Sequence, residues 1–503
     1  MNITDASEIR YDTRLAGHPT GLLVLFFTEL WERFSYYGMR GILILYLVTG
    51  IDAGGLGFDV ALAGAVYGLY TSMVYLAGVP GGWLADRIFG QRRSVLYGGI
   101  LIALGHFTIA LQSLPAFYSG LGLIVLGTGL LKPNISAMVG QLYRPGDARR
   151  DAGFTIFYMG INLGALFGPL ACGWLAEKVA WHYGFGVAGL GMVLGLAVYI
   201  VFGGALRHAG TKPAGMGSGD DRATRLRALA GGGVLALSAV AVILLIGYGV
   251  MTVVDLANAF GVVLVGLAVV FFGWVFVGFR WTREQRNRLI IIAILFVGAA
   301  VFWSGYEQAG SSLTLFANEH TNRVLNGQEF PASWFQSVPA FYVLLLSLVF
   351  AVLWTALGGR QPGYVAKFAL GLGFLGAGFA VMIAAAMRVA DGSQVGPGWL
   401  LGAYFLHVVG EMCLSPIGLA AVTRLAPQRV TSTMMGAWFL ASSVGSYFAG
   451  RAAGLYESLS LPVLFGLSAL VALVVGLLFA ALIRPTRRLL ERGSGPGAGA
   501  PSS

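Results

Sequence analysis

Long apolar segments recur along the whole chain, and they limit the folds open to it. A membrane-spanning helix needs roughly 20 predominantly apolar residues. The sequence predicts an all-α membrane protein with fourteen such spans, arranged as six, two and six. These segments lie near residues 22–50, 61–84, 94–112, 116–141, 153–176, 183–205, 228–250, 253–279, 289–317, 334–358, 364–387, 398–425, 431–457 and 461–483.

The composition supports a lipid environment. Charged residues make up 11% of the 503 residues, whereas soluble proteins carry roughly 25%. The net charge of +10 does not indicate nucleic acid as a partner, because the basic residues lie in short loops between apolar segments. Cys172 and Cys413 lie inside apolar segments, so neither a disulfide framework nor a metal site is expected. We expect no cofactor and no obligate protein partner.

Basic residues alternate between the two sides of the predicted bundle. Loops after the second, fourth, sixth and eighth spans contain Arg87, Arg144, Arg207 and Arg283, and Arg484 follows the last span. The loops between them contain almost no lysine or arginine. Because positive loops stay in the cytoplasm, we expect both termini to be cytoplasmic and the protein to lie in a bacterial inner membrane, in direct contact with the lipid bilayer.

Five regions follow from this pattern. We predict a cytoplasmic N-terminus at 1–21, a first six-helix bundle at 22–205, a linker with an extra helix pair at 206–288, a second six-helix bundle at 289–484, and a disordered cytoplasmic tail at 485–503. Two halves of six helices are typical of transporters built from repeats, whose substrate site lies near the membrane midplane between the halves.

The first apolar segment contains charges that lipid would not tolerate. Glu29, Glu32, Arg33 and Arg40 would together cost roughly 10 kcal/mol if they all faced lipid. At about 100° per residue, positions 29, 33, 36 and 40 share one narrow face, and Glu29 and Arg33 are i,i+4 partners. We therefore expect this face, flanked by Glu32 and Tyr37, to line a cavity or its charges to face each other. A static ion pair that locks helices together is the alternative.

Other polar residues interrupt later segments. Lys132 precedes Pro133 on the fourth helix, Asn162 lies on the fifth, and Glu307 and Glu411 lie in the second half. A substrate with one amine and one carboxylate needs an anion at one end of its site and cations at the other. Glu411 opposite Lys132 and Arg33 would meet that need, while His407, one turn before Glu411, is expected to be a packed core residue.

Two motifs resemble known families. The loop Gly82–Arg93 resembles the conserved cytoplasmic loop of the major facilitator superfamily, and Glu29–Gly38 matches the ExxERFxYYG signature of the proton-coupled oligopeptide transporters, bacterial type. The segments around Lys132, Asn162, Glu307 and Glu411 and the extra helix pair are also similar to that family. The resemblance implies the major facilitator fold and symport of protons with di- and tripeptides into the cytoplasm by alternating access.

The resemblance also implies a role for individual residues. Protons would be coupled through Glu29, Glu32, Arg33, Lys132 and Glu307. Arg33 and Lys132 would hold the peptide carboxylate, and Glu411 with Asn162 the amine. The pocket would be lined by Tyr36, Tyr37, Tyr70, Trp303 and Trp438. The gates would be formed by Arg40 with Glu307 and by Lys132 with Glu411.

One position departs from the family pattern. Pro339 stands where the family usually has an asparagine that helps to bind the peptide amine. Proline has no side-chain donor and lacks a backbone N–H, so an unusual substrate range or affinity is expected.

Three other functions fit these residues less well than peptide symport. Nitrate or another small solute would leave Glu411 without an obvious partner. A membrane enzyme would need a metal or nucleophile motif, and the six histidines are scattered. A channel would need a ring of identical selectivity groups, whereas paired charges suit alternating access.

Overall fold

The computed structural model describes residues 15–144, 146–211, 245 and 248–491. Within these residues the fold is almost entirely helical, as predicted. The helices are α1 (Gly21–Val48), α2 (Val60–Leu76), α3 (Gly78–Leu84), α4 (Gln91–Ile109), α5 (Leu114–Gln141), α6 (Arg149–Lys178), α7 (Trp181–Val201), α8 (Val253–Val277), α9 (Arg283–Tyr306), α10 (Ser312–Glu319), α11 (Val338–Leu357), α12 (Tyr364–Arg388), α13 (Gly398–Leu425), α14 (Thr431–Ala453) and α15 (Leu461–Glu491).

Thirteen of the fourteen predicted apolar segments coincide with these helices, and most of the remaining one, 228–250, lies outside the described residues. Ten helical spans of the described chain are long and apolar enough to cross a membrane. The helix α1 is not among the ten, although its 28 residues suffice in length. Its buried charges lower its mean hydropathy, so α1 does not stand out as a membrane span by apolar character alone.

The described residues pack as two compact units. Unit 1 contains the described parts of Met1–Ile42 and Leu76–Thr252, and unit 2 contains the described parts of Leu43–Tyr75 and Val253–Ser503. The last turns of α1 and nearly all of α2 therefore belong to unit 2, although the predicted first bundle, 22–205, included them. The predicted linker 206–288 is also divided, because α8 packs in unit 2.

Glycines bring the helices of unit 1 into close contact. A Cβ added to Gly98 on α4 would lie 2.5 Å from the Gly127 carbonyl oxygen on α5, and one added to Gly105 would lie 2.7 Å from that of Gly120. Such small residues let membrane helices approach at backbone distance. On α5, Pro133 cannot donate the usual hydrogen bond to Gly129, and Gly81 of α3 lies against that same carbonyl.

The helix α6 packs against α1 in the same way. Added Cβ atoms at Gly164 and Gly168 would lie 2.3 Å from the Leu30 carbonyl oxygen and 2.4 Å from that of Phe34. No larger residue fits at these positions without moving the α1 backbone. The charged stretch of α1 is therefore held tightly against α6.

The sequence predicted one continuous span over 289–317. In unit 2, the helix that begins at Arg283 is instead interrupted before residue 317. The segment α9 ends at Tyr306, a 3₁₀ turn covers Glu307–Gly310, and α10 follows at Ser312. Glu307 therefore lies at a helix break and not inside a continuous helix. Side chains hold the break: the Gln336 amide donates to the Ala309 carbonyl and to Thr314, each at 2.8 Å. Outside the helices, strands β1 (Val324–Leu325) and β2 (Gln328–Glu329) form a short hairpin.

Candidate functional site

The first polar cluster lies on α1 in unit 1. Glu29, Glu32 and Arg33 are 1%, 0% and 2% exposed. The Arg33 Nε lies 3.2 Å from a Glu29 carboxylate oxygen and also donates a short hydrogen bond to Glu32. The i,i+4 contact was predicted from helical spacing. The contact with the adjacent Glu32 was not, because neighbours in a helix do not usually face each other.

This cluster, the α1 triad, contains two carboxylates and one guanidinium, and it is therefore one negative charge in excess when both acids are ionised. Within the described residues, Glu29 Oε2, Glu32 Oε1 and Arg33 Nη2 have no hydrogen-bond partner. Buried polar atoms are nearly always paired, so each exception needs an explanation. A site that exchanges protons and ligands supplies one.

Further polar residues of unit 1 lie near the triad. The Arg33 guanidinium lies 5.2 Å from the ring centre of Tyr36, and that of Arg40 lies 5.8 Å from the ring of Tyr37, within the range of cation–π attraction. Lys132, half-buried on α5, attracts the Glu29 carboxylate electrostatically. Unit 1 therefore brings together the cations and phenols that the sequence predicted.

Asn162 is buried on α6, where its side-chain amide donates to the Tyr158 carbonyl of its own helix at 3.0 Å. Backbone bonding of this kind satisfies one of the two amide protons. The contact is compatible with the predicted role in ligand binding.

The second cluster lies in unit 2 and joins two helices. The Tyr306 hydroxyl, at the end of α9, donates to a carboxylate oxygen of Glu411 on α13 at 2.5 Å. Glu411 is 8% exposed. The Tyr306 ring stacks on Phe302 and meets Trp303 edge to face, with ring centres 5.6 and 5.4 Å apart. We call Glu411 and Tyr306 the α9–α13 pair.

Glu307 follows Tyr306 directly and is also buried. One of its carboxylate oxygens accepts a long hydrogen bond of 3.4 Å from the Tyr75 hydroxyl on α2, and the residue takes part in further interactions as well. The helix break thus places Glu307 beside α2, a contact that the sequence pattern did not predict.

Unit 2 also contains three of the aromatic residues that the sequence predicted for the pocket. The Trp438 ring meets Phe368 edge to face, and Gly418 leaves room for it, because an added Cβ would lie 1.8 Å from the indole. The indole N–H of Trp303 is buried and has no hydrogen-bond partner among the described residues. Tyr70 is buried on α2.

Two further residues of unit 2 that the sequence analysis selected lie within helices. His407 is 1% exposed and lies 4.8 Å from the Phe379 ring centre, as expected for a packed core histidine. Pro339 is the second residue of α11. A proline in the first turn costs the helix little, because the backbone N–H that proline lacks would have no partner within the helix at this position.

Sequence reasoning missed Tyr306 and Tyr75 as partners of the buried acids. Tyr306 could have been selected, since it stands next to Glu307 and one turn after Phe302. Tyr75 gave no comparable signal. The predicted gate pairs, Arg40 with Glu307 and Lys132 with Glu411, join residues of different units and remain predictions.

Comparison with known proteins gives a consistent result. The sequence model of the POT family matches residues 92–464. The chain is 43% identical over 493 residues to the peptide transporter YePEPT of Yersinia enterocolitica, and the match covers 95% of this chain and 96% of the relative. It is 35% identical to a di-/tripeptide transporter of Lactococcus lactis subsp. cremoris, over 94% of this chain and 97% of the relative.

Solved structures agree. A peptide transporter POT in complex with sulfate superposes with a TM-score of 0.89 at 41% identity, covering 94% of this chain and 96% of that one. A POT family transporter in complex with 5-aminolevulinic acid superposes with a TM-score of 0.88 at 33% identity, covering 94% and 98%.

Long apolar helices with charges buried inside them, in this fold, define a multi-pass membrane transporter of the major facilitator type. The chain belongs to the POT family. The relatives and structural neighbours are transporters, which confirms the prediction that the protein is not an enzyme.

Proposed function

We propose that this protein imports di- and tripeptides together with protons across the bacterial inner membrane, with both termini in the cytoplasm. The observation that carries the proposal is the α1 triad: two carboxylates share one guanidinium, and all three groups are at most 2% exposed. Within the triad one acid has no cation of its own, although Lys132 also attracts Glu29, and an unpaired charge inside the protein is costly. Uptake of one proton removes that charge, so the triad is suited to bind and release a proton during each cycle.

The substrate follows from the charges at the two clusters. Arg33 and Lys132 would bind the carboxylate of a peptide, and Glu411 would bind its amine together with Asn162. The named relatives transport peptides, and one structural neighbour holds 5-aminolevulinic acid, a molecule with one amine and one carboxylate. These ligands have the charge pattern that the proposed residues require.

Aromatic residues would line the remainder of the pocket. We assign this role to Tyr36, Tyr37, Tyr70, Trp303 and Trp438. In each unit some of them contact a member of the polar cluster: Tyr36 lies against Arg33, and Trp303 packs on Tyr306. Large rings beside fixed charges accept side chains of different shape while the charges hold the peptide ends.

The proton gradient supplies enough free energy for this cycle. One pH unit is worth ~1.4 kcal/mol, and a potential of ~100 mV adds about 2.3 kcal/mol per charge. At ~1.4 kcal/mol per decade, one proton therefore supports accumulation of a peptide by a few hundred-fold.

Uptake of a labelled dipeptide into proteoliposomes tests the proposal. We expect uptake to require an inward proton gradient and to be competed by di- and tripeptides but not by free amino acids. A chain with Glu284→Gln is the matched control, because Glu284 and Arg288 form an i,i+4 pair that is about two-fifths exposed. Uptake of nitrate or another small solute without peptide uptake would contradict the proposal.

A further inference from the structure

Unit 2 contains a cavity that the transport cycle described above does not use. It has a volume of about 760 Å³ and lies between α8, α9, α14 and α15. All of its lining residues belong to unit 2. Apart from Ser304, Gln308 and Ser468, the lining side chains are aliphatic, aromatic or absent at a glycine. The volume is within the range of binding sites for small molecules.

The few polar groups of the wall already bond to one another. The Gln308 amide nitrogen donates to the Ser304 carbonyl at 3.2 Å and to the Ser468 hydroxyl at 3.1 Å. The Gln308 amide oxygen accepts from the Ser312 hydroxyl at 2.9 Å. Ordered water needs two to four polar partners, and this wall offers few that are not already engaged. The cavity therefore favours a hydrocarbon occupant.

The cavity is open on one side. The lining residues Val269, Val297 and Val471 are 68%, 52% and 48% exposed. The helix α8, which forms one wall, has only 22% of its most apolar stretch buried within the protein. An open space of this size that stayed empty would forfeit dispersion contacts along its whole wall.

We propose that this cavity binds an acyl chain of a membrane phospholipid. The bilayer is the apolar medium against which the open side lies. Because the polar groups of the wall already form hydrogen bonds with one another, they offer little to a charged or strongly polar ligand. A mobile chain that enters from the bilayer matches a wall made of valine, alanine and phenylalanine side chains.

The bound chain would lie directly behind the helix break in unit 2. Ser304, Gly305 and Gln308 line the cavity, and Glu307 lies among them in sequence. The occupant would therefore contact the end of α9. The helix α8, which belongs to the extra helix pair, would thereby close one wall of a lipid site.

Photolabelling tests the proposal on the full chain. The protein is reconstituted into vesicles of phosphatidylglycerol with a diazirine in one acyl chain, irradiated, and mapped by peptide mass spectrometry. We expect label on the lining residues of α9 and α15, such as Val301 and Ala472, and also on exposed residues outside the cavity, such as Val262. The substitution Ala300→Phe fills the cavity, and we expect loss of label from the lining residues with retention at Val262.

Two further variants control the result. Val263→Phe adds bulk on the outer surface of α8, where Val263 is 57% exposed and does not line the cavity, and it should leave the cavity label unchanged. Ala452→Phe fills the cavity from α14 and serves if Ala300→Phe does not elute as a folded protein. Absence of label from the lining residues in the unmodified chain, or unchanged cavity label in both filling variants, would overturn the proposal.

Discussion

The α1 triad and the α9–α13 pair bury carboxylates to a similar degree but assemble them differently. Glu29, Glu32 and Arg33 lie within five residues of one helix, whereas Tyr306 and Glu411 are 105 residues apart. In the triad, the cation Arg33 lies on the same short stretch of α1 as the acids Glu29 and Glu32. The α9–α13 pair has a neutral phenol as the partner of its acid.

The difference in partner has a consequence for charge. In the triad the guanidinium offsets one of two negative charges, so the protonation state decides whether the cluster is neutral. In the α9–α13 pair a hydroxyl hydrogen bond stabilises the carboxylate without neutralising it. An ionised Glu411 therefore keeps its negative charge and can attract a cation. In the proposed function, the first cluster would bind protons and the second would bind an amine.

Removal of Arg33 should give the largest effect. Arg33→Met leaves two buried carboxylates without their cation, and breaking a buried ion pair costs about 3–5 kcal/mol. We expect a lower free energy of unfolding and no gradient-driven uptake. Thermal unfolding of the purified protein and uptake into proteoliposomes measure the two effects.

The matched control is Arg288→Met, which removes the cation of the exposed i,i+4 pair with Glu284. Exposed pairs are worth about 0–1 kcal/mol, so this variant should unfold almost like the unmodified chain. Equal stability of the two variants would show that the contacts of Arg33 with Glu29 and Glu32 do not stabilise the fold.

Replacement of Glu29 should separate coupling from binding. Glu29→Gln keeps the shape of the side chain but removes a carboxylate that shares Arg33, so the triad is neutral without a proton. We expect the variant to lose uptake driven by the pH gradient and to retain part of its counterflow of labelled peptide. Loss of both activities would indicate structural damage, and loss of neither would remove Glu29 from the coupling mechanism.

Replacement of Glu411 tests the amine-binding role of the second cluster. Glu411→Gln loses the charge, and a hydrogen bond to a charged group is worth about 1.5–3 kcal/mol, so KM for a dipeptide should rise roughly tenfold or more. Comparison with an N-acetylated dipeptide supplies the control, because this ligand has no charged amine. If the variant loses affinity equally for both ligands, Glu411 does not recognise the amine.

Removal of the phenol should have a smaller effect on the same parameter. Tyr306→Phe keeps the ring contacts with Phe302 and Trp303 but removes the donor to Glu411. A single hydrogen bond contributes about 0.5–1.5 kcal/mol, so we expect a rise in KM of several-fold. Tyr342→Phe is the control, since Tyr342 lies on α11 and its ring packs against Phe405 at 5.5 Å. Equal changes in the two variants would argue against a role for the Tyr306 hydroxyl.

The contrast between the two clusters also explains what the sequence could predict. The spans and the Glu29–Arg33 contact depend on local periodicity, and the sequence contains that information in a few adjacent residues. The Tyr306–Glu411 bond and the Tyr75–Glu307 bond depend on which helices pack together, and this follows from glycine contacts spread over the chain. The break at Glu307 was missed for a related reason: the polar residues that hold it, Gln336 and Thr314, come from other segments.

The smallest predicted effect concerns Pro339, in the same unit as the second cluster. Pro339→Asn restores the side-chain amide that the family usually has there, and we expect KM for a dipeptide to fall about twofold, the equivalent of a weak hydrogen bond of about 0.5 kcal/mol. Because Pro339 lies in the first turn of α11, the change should disturb the helix little. Pro339→Ala makes the same change to the backbone without the amide and should leave KM nearly unchanged. If both variants bind peptide like the unmodified chain, Glu411 and Asn162 suffice for the amine, and the asymmetry between the two clusters does not depend on position 339.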